Sequence, residues 1–146
     1  MPVPLVYFDA SAMVKLLVQE PGSDLAAELW DGCDAPVASR VAYPEVCAAL
    51  AAAARNHALT GDEASAAART WEEFWAATRP VELNAAVQRH AGELARTWAL
   101  RGADAVHLAS ALAIGDADLV VAVWDRRLHA GARASGLRVA PATLGR

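Results

Sequence analysis

Residues 119–125 read Leu-Val-Val-Ala-Val-Trp-Asp, an unbroken apolar run that ends on a carboxylate. A segment that is apolar at every position needs cover on both faces, and that is the habit of an interior strand in a parallel sheet. A similar pattern opens the chain, where PLVYFD predicts a strand over about residues 3–9, ending at Asp9. Three shorter runs, APVAS at 35–39, RPVEL at 79–83 and the edge-like LRVAP at 137–141, extend the set. Helical periodicity fills the intervals. One helix runs through Met13, Leu16 and Leu17 and stops before Pro21-Gly22. A second passes Leu25 and Leu29 to Trp30. Ser39 stands ready to cap an Ala-rich helix that carries Pro44 in its early turns. Thr60 and Glu63 have capping-box spacing ahead of a helix that places Ala67, Trp71, Phe74 and Trp75 on one side. Asn84 caps a helix to about Leu100, residues 103–114 form a helix that is apolar nearly all round, and a last helix through Leu128 stops at Gly136. Strands alternating with helices predict a three-layer α/β/α domain with a central parallel sheet, a single domain over residues 1–146.

Composition narrows the function classes. An apolar fraction of 55% argues against disorder, and no apolar run reaches the roughly 18 residues of a membrane span. MPVPLVYFD lacks a basic stretch ahead of its apolar part, so a signal peptide is not expected. Cys33 and Cys47 have no metal-ligand spacing and read as buried or free thiols in a reducing cytoplasm. No His/Cys cluster suggests zinc. The net charge of −4 argues against loose electrostatic binding along a duplex. It does not exclude a nuclease: setting aside four particular acids leaves thirteen charges of each sign.

Those acids are Asp9, Glu45, Asp104 and Asp125. Asp9 and Asp125 follow strand-like runs, and ligands of open parallel sheets sit beyond the carboxyl ends of the strands. Each is equally a natural helix N-cap. Glu45 lies early in its helix, where an acid also complements the helix dipole. Asp104 interrupts a buried-looking helix, where an ionised carboxylate needs a partner or a cation; its place just after Gly102 also suits a first-turn acid. Acids that a fold brings together serve to hold divalent cations against a phosphate.

Four segments in order then carry a resemblance. YFDASAMVKLL (7–17), SRVAYPEVCAAL (39–50), RGADAVHLASAL (101–112) and WDRRLHAGARASGL (124–137) resemble the successive motifs of the PIN-domain family, and within it of the small VapC-type toxins. The resemblance covers nearly the whole chain. It implies a PIN-like fold, an Mg²⁺-dependent endoribonuclease (Mn²⁺ substituting), an RNA substrate, a homodimer and a cognate VapB-type antitoxin whose tail fills the acid pocket. It also implies that Asp9, Glu45, Asp104 and Asp125 are the catalytic, metal-holding residues. Asp9 and Asp104 would take the first ion directly, with Glu45 and Asp125 completing the shell through water or holding a second ion. One position departs from the pattern: many relatives have a hydroxyl residue two places before the fourth acid, and here Val123 stands there.

Further polar residues carry paired readings. Ser11 orients Asp9 or contacts phosphate, or merely starts a helix. Lys15 reaches the scissile phosphate or sits on the solvated helix side. Ser39 is in register with the second motif. His107, one turn after Asp104, touches the acids or is a buried histidine bonded to backbone. Arg101, Arg126 and Arg127 contact the RNA backbone or are ordinary surface charge. The Trp71, Phe74 and Trp75 stripe reads as core or a protein interface before base stacking. Two other functions remain open: a PIN-fold binding module without turnover, and a housekeeping RNA-processing nuclease without antitoxin. A receiver domain lacks its lysine on the final strand, since GLRVAPATLG (136–145) has none.

Overall fold

The computed structural model describes residues 4–145, so Val3, the first position of the opening strand, lies outside it with the first two residues of MPVPLVYFD. The elements run β1 (Val6–Phe8), α1 (Ala10–Leu17), α2 (Ser23–Gly32), β2 (Pro36–Ser39), α3 (Ala42–Arg55), α4 (Gly61–Ala77), β3 (Arg79–Val81), α5 (Ala85–Trp98), α6 (Gly102–Ile114), β4 (Val120–Ala122), α7 (Arg126–Ala134) and β5 (Arg138–Ala140). The five strands make one parallel sheet in the order β3-β2-β1-β4-β5. Strand order reverses at β1, which creates a switch point between β1 and β4 at the carboxyl edge.

Alternation along the strands divides the core. Val6 and Phe8 of β1, Ala38 of β2 and Ala122 of β4 pack with Met13 of α1, Val46 and Leu50 of α3 and Trp71 of α4. Tyr7, Val37 and Val121 point the other way, onto Leu94 of α5, Leu108 of α6 and Leu128 of α7. This two-sided cover is what the apolar run 119–125 predicts. Fully burying one such large side chain stabilises the fold by about 1.5–3 kcal/mol.

Strands are shorter than predicted because helix caps take their ends. Asp9 is in extended backbone but already accepts from Ala12 N–H, so it begins α1 rather than ending β1. The capping box of Thr60 and Glu63 forms, and Asn84 accepts from Val87 N–H at 2.9 Å. Ser39 does not cap α3. A turn intervenes, with Tyr43 N–H donating to the Arg40 carbonyl, and Ser39 Oγ accepts from Val41 N–H at 3.2 Å instead. Pro44 is the third residue of α3, where the backbone N–H has no helical acceptor, so it removes no helical bond. Trp71 is 1% exposed and packs beside Tyr43 and Trp75, while Phe74 meets Trp30; Trp71 is core, and Phe74 and Trp75 are partly buried against it.

Gly22 ties this frame to the carboxyl edge. Its φ is +93°, and a Cβ there would stand 2.8 Å from Trp124 Nε1, one residue before Asp125. Gly22→Ala is therefore expected to cost about 2 kcal/mol through backbone strain and displacement of Trp124. Denaturant melts of the variant test this; unchanged stability would show that Trp124 yields freely.

Candidate functional site

Four separate segments bring acids to the carboxyl edge beside the switch point. Asp9 follows β1 and is 3% exposed. Its Oδ1 accepts from Ala12 N–H at 2.8 Å, which leaves Oδ2 outside the cap. Asp125 does the same for α7, accepting from Leu128 N–H at 2.9 Å, but is itself exposed. A cap engages one oxygen of two, so capping leaves each carboxylate one oxygen for another partner. Glu45 sits in the first turns of α3 and is half-buried. Asp104 is the third residue of α6 and also half-buried.

The acids feel one another. Burial, opposed by His107 and the Ala12 N–H, pushes the Asp9 carboxyl up to about 6, with Asp104 and Glu45 adding to the rise. Burial also raises the Asp104 carboxyl, then the charge of Asp125; His107 and Arg101 pull it back. Each upward shift records the cost of holding negative charge in a partly dry, crowded place. The acids do not form a closed cage. Among the described residues, no three His, Cys, Asp or Glu side chains are gathered closely enough to hold a metal ion as they stand.

His107 differs from its expected bonding to backbone. Its Nε2 lies 2.6 Å from Glu45 Oε1 and its Nδ1 2.6 Å from the Tyr7 hydroxyl, with the ring 2% exposed. Helix α6 places it opposite α3, so side chains satisfy both ring nitrogens. Tyr7 is the residue sequence reasoning passed over. Its signal was a phenol inside an apolar strand, since a buried hydroxyl needs a partner. It accepts from Ser39 N–H at 3.2 Å, and burial drives its pKa well above the usual value. Ser110 Oγ is buried near the same hydroxyl without a hydrogen bond of good geometry.

The remaining polar residues divide. Lys15 is not on a solvated helix side: its side chain is 12% exposed, donates to the Pro21 carbonyl at 2.8 Å and to Glu20 at 3.1 Å, and lies over the Trp124 ring. The adjacent α1–α2 turn supplies these acceptors. Ser11 is exposed on α1, beside the cap. Ser39 is fully buried, and its contact with this region runs through its backbone N–H. Arg101, Arg126 and Arg127 are exposed; Arg101 neighbours Asp104, and Arg126 donates to the Gly145 carbonyl. Val123 is fully buried in the core that contains Tyr7. Cys33 and Cys47 are free thiols. No helix among the described residues is long and apolar enough to cross a membrane.

The PIN domain family matches residues 6–133. Two curated proteins of Mycobacterium tuberculosis, ribonuclease VapC45 of strain CDC 1551 and ribonuclease VapC49 of strain H37Rv, are each 74% identical over 142 residues, covering 97% of this chain and 99% of theirs. Among solved structures, a toxin–antitoxin complex from Klebsiella pneumoniae superposes with a TM-score of 0.66 at 17% identity, over 96% of this chain and 99% of that one. VapC20 of Mycobacterium tuberculosis, described as a sarcin–ricin loop cleaving toxin, gives 0.66 at 19% identity over 90% and 95%. These two likenesses speak to the fold.

Proposed function

The chain belongs to the PIN-domain family, among its VapC-type toxins, and from that premise we propose that it is an Mg²⁺-dependent endoribonuclease, the toxin of a VapBC-type pair. The carrying observation is Asp9: a nearly buried carboxylate at the switch point whose proton affinity is raised in the company of Asp104 and Glu45. Such an arrangement is unfavourable unless a cation or a proton offsets it.

The donor set fits magnesium. All four acids offer oxygen, which hard cations prefer, and Mg²⁺ keeps several waters while taking only one or two carboxylates. Acids that share a field without closing into a cage suit that habit. When bound, the ion supplies Lewis acidity and offsets charge developing on the phosphodiester. Asp9 and Asp104 would hold it directly, and Glu45 and Asp125 would complete the shell through water or hold a second ion. Arg101, at the N-cap of α6, and Arg126 and Arg127, in the first turn of α7, contact the RNA backbone. Water adds to phosphorus and the 3′-oxygen leaves, so one RNA bond is hydrolysed. The protein works in the cytoplasm as a homodimer, restrained by a VapB-type antitoxin. Support for that partner is the 74% identity to named VapC ribonucleases. An antitoxin Arg entering the acids would compete with Mg²⁺ through charge-assisted hydrogen bonds.

The test incubates the purified chain with a panel of RNAs in Mg²⁺, Mn²⁺ or EDTA. Cleavage in either metal and none in EDTA is the expected result. Mn²⁺ binding without turnover on any RNA would favour the binding-module reading, for which buried Val123, in place of a hydroxyl, is the specific argument. Growth arrest on expression, relieved by a co-expressed partner, separates a toxin from a housekeeping nuclease.

A further inference from the structure

We propose that Tyr7 and His107 are positioning residues: a buried relay from the β2 backbone through the Tyr7 hydroxyl and the His107 ring fixes Glu45 at the metal site. The inference rests on the proposed function for the word metal, but its geometry stands independently. Glu45 is the acid with the longest side chain of the four, so its carboxylate has the most freedom to lose. Asp9 and Asp125 are fixed by their own helix caps. Glu45 has no cap. Its partner is His107 Nε2 at 2.6 Å, from a residue 62 positions away.

The direction of the relay follows from donor chemistry. A carboxylate only accepts, so the proton between Glu45 and His107 is on Nε2. Nδ1 faces the Tyr7 hydroxyl at 2.6 Å, and when the ring's single proton is on Nε2 the hydroxyl donates to it. Tyr7 oxygen in turn accepts from Ser39 N–H, a backbone group of β2. Each member is nearly or fully buried: Tyr7 and Ser39 at 0%, His107 at 2%. The chain of bonds thus begins on the sheet and ends on one of the two acids, Glu45 and Asp104, that cap no helix. It shares the logic of partners that orient metal ligands from behind. His107 also leaves Glu45 Oε2 outside its bond.

Two substitutions cut the relay at different bonds. In His107→Gln the amide nitrogen stands near the place of Nε2 and still donates to Glu45. In His107→Asn the shorter amide reaches only the Tyr7 end. Mn²⁺ binding by calorimetry should therefore fall about 10- to 100-fold for His107→Asn, while His107→Gln stays close to wild type. Tyr7→Phe should fall between them. In the ¹⁵N-labelled metal-free wild type, long-range imidazole correlations should show Nε2 of His107 protonated. That spectrum needs no variant to fold and no activity to be present. A ring bare at Nε2, or a folded His107→Asn that binds Mn²⁺ as wild type does, overturns the relay. Wild-type protein that binds no Mn²⁺ would instead overturn the metal-site reading, leaving the ring spectrum to judge the hydrogen bonds.

Discussion

Asp9→Asn is expected to lower RNA cleavage by at least about a thousandfold, roughly 4 kcal/mol of transition-state stabilisation, while making the metal-free chain more stable at pH 7.5. The two effects share one cause. Asn keeps the geometry of the cap, because its side-chain oxygen still accepts from Ala12 N–H. What it removes is a negative charge that is nearly buried and repelled by Asp104 and Glu45. A carboxyl raised from 3.8 to about 6 penalises the folded, ionised form, so neutralising it returns about 3 kcal/mol of stability by linkage. Cleavage assays in Mg²⁺ and denaturant melts in EDTA measure the pair. A variant that cuts RNA as fast as wild type sinks the assignment of Asp9. One that is less stable without metal would mean that the carboxylate is structural first.

How much of this was legible beforehand follows residue by residue. The apolar run 119–125 announced an interior parallel strand because nothing polar interrupts it, and β4 pairs with both β1 and β5. Thr60 and Asn84 announced their helices through local capping, which depends on neighbours only three residues away. Strand ends were less readable, since Asp9 and Asp125 could terminate a strand or begin a helix, and the cap wins once the carboxylate finds an N–H. Ser39 misled for the same reason: a two-residue turn separates it from α3, and only tertiary placement fixes such a turn. Lys15 and His107 were least legible. His107 bonds to Glu45 and Tyr7, 62 and 100 positions away, and the ring beneath Lys15 belongs to Trp124, all beyond any periodicity, while the local acceptors of Lys15 at Glu20 and Pro21 depend on how the α1–α2 turn folds. Asp104 stood out as a lone acid in the apolar helix of residues 103–114, and it is half-buried, with its carboxyl raised by burial and by Asp125.

Stability should depend on pH and metal together. The folded pKa of Asp9, about 6, lies above its ordinary 3.8. Between those values the folded chain holds a proton that the unfolded chain has released, so metal-free stability falls as pH rises from about 4 to about 6 and stays low above that. Asp104 is shifted in the same direction and adds to the same slope. Glu63 and Glu82 are lowered, by the Thr60 backbone N–H and by Arg40 respectively, and act in the opposite sense. Both are exposed, and subtracting the Asp9→Asn curve from wild type removes them. Mn²⁺ binds the ionised acids, so at a hundred times its dissociation constant it should add about 2.7 kcal/mol at pH 7.5. At pH 4.5 protons occupy Asp9, and the same metal concentration should add little. Calorimetric melts at both pH values, with Mn²⁺ and with EDTA, supply the four numbers. An equal Mn²⁺ shift at pH 4.5 and 7.5 would place the ion away from Asp9. Metal-free stability that climbs through the window would mean that the charge on Asp9 is welcomed by the fold, and the reason for a cation at this edge would go with it.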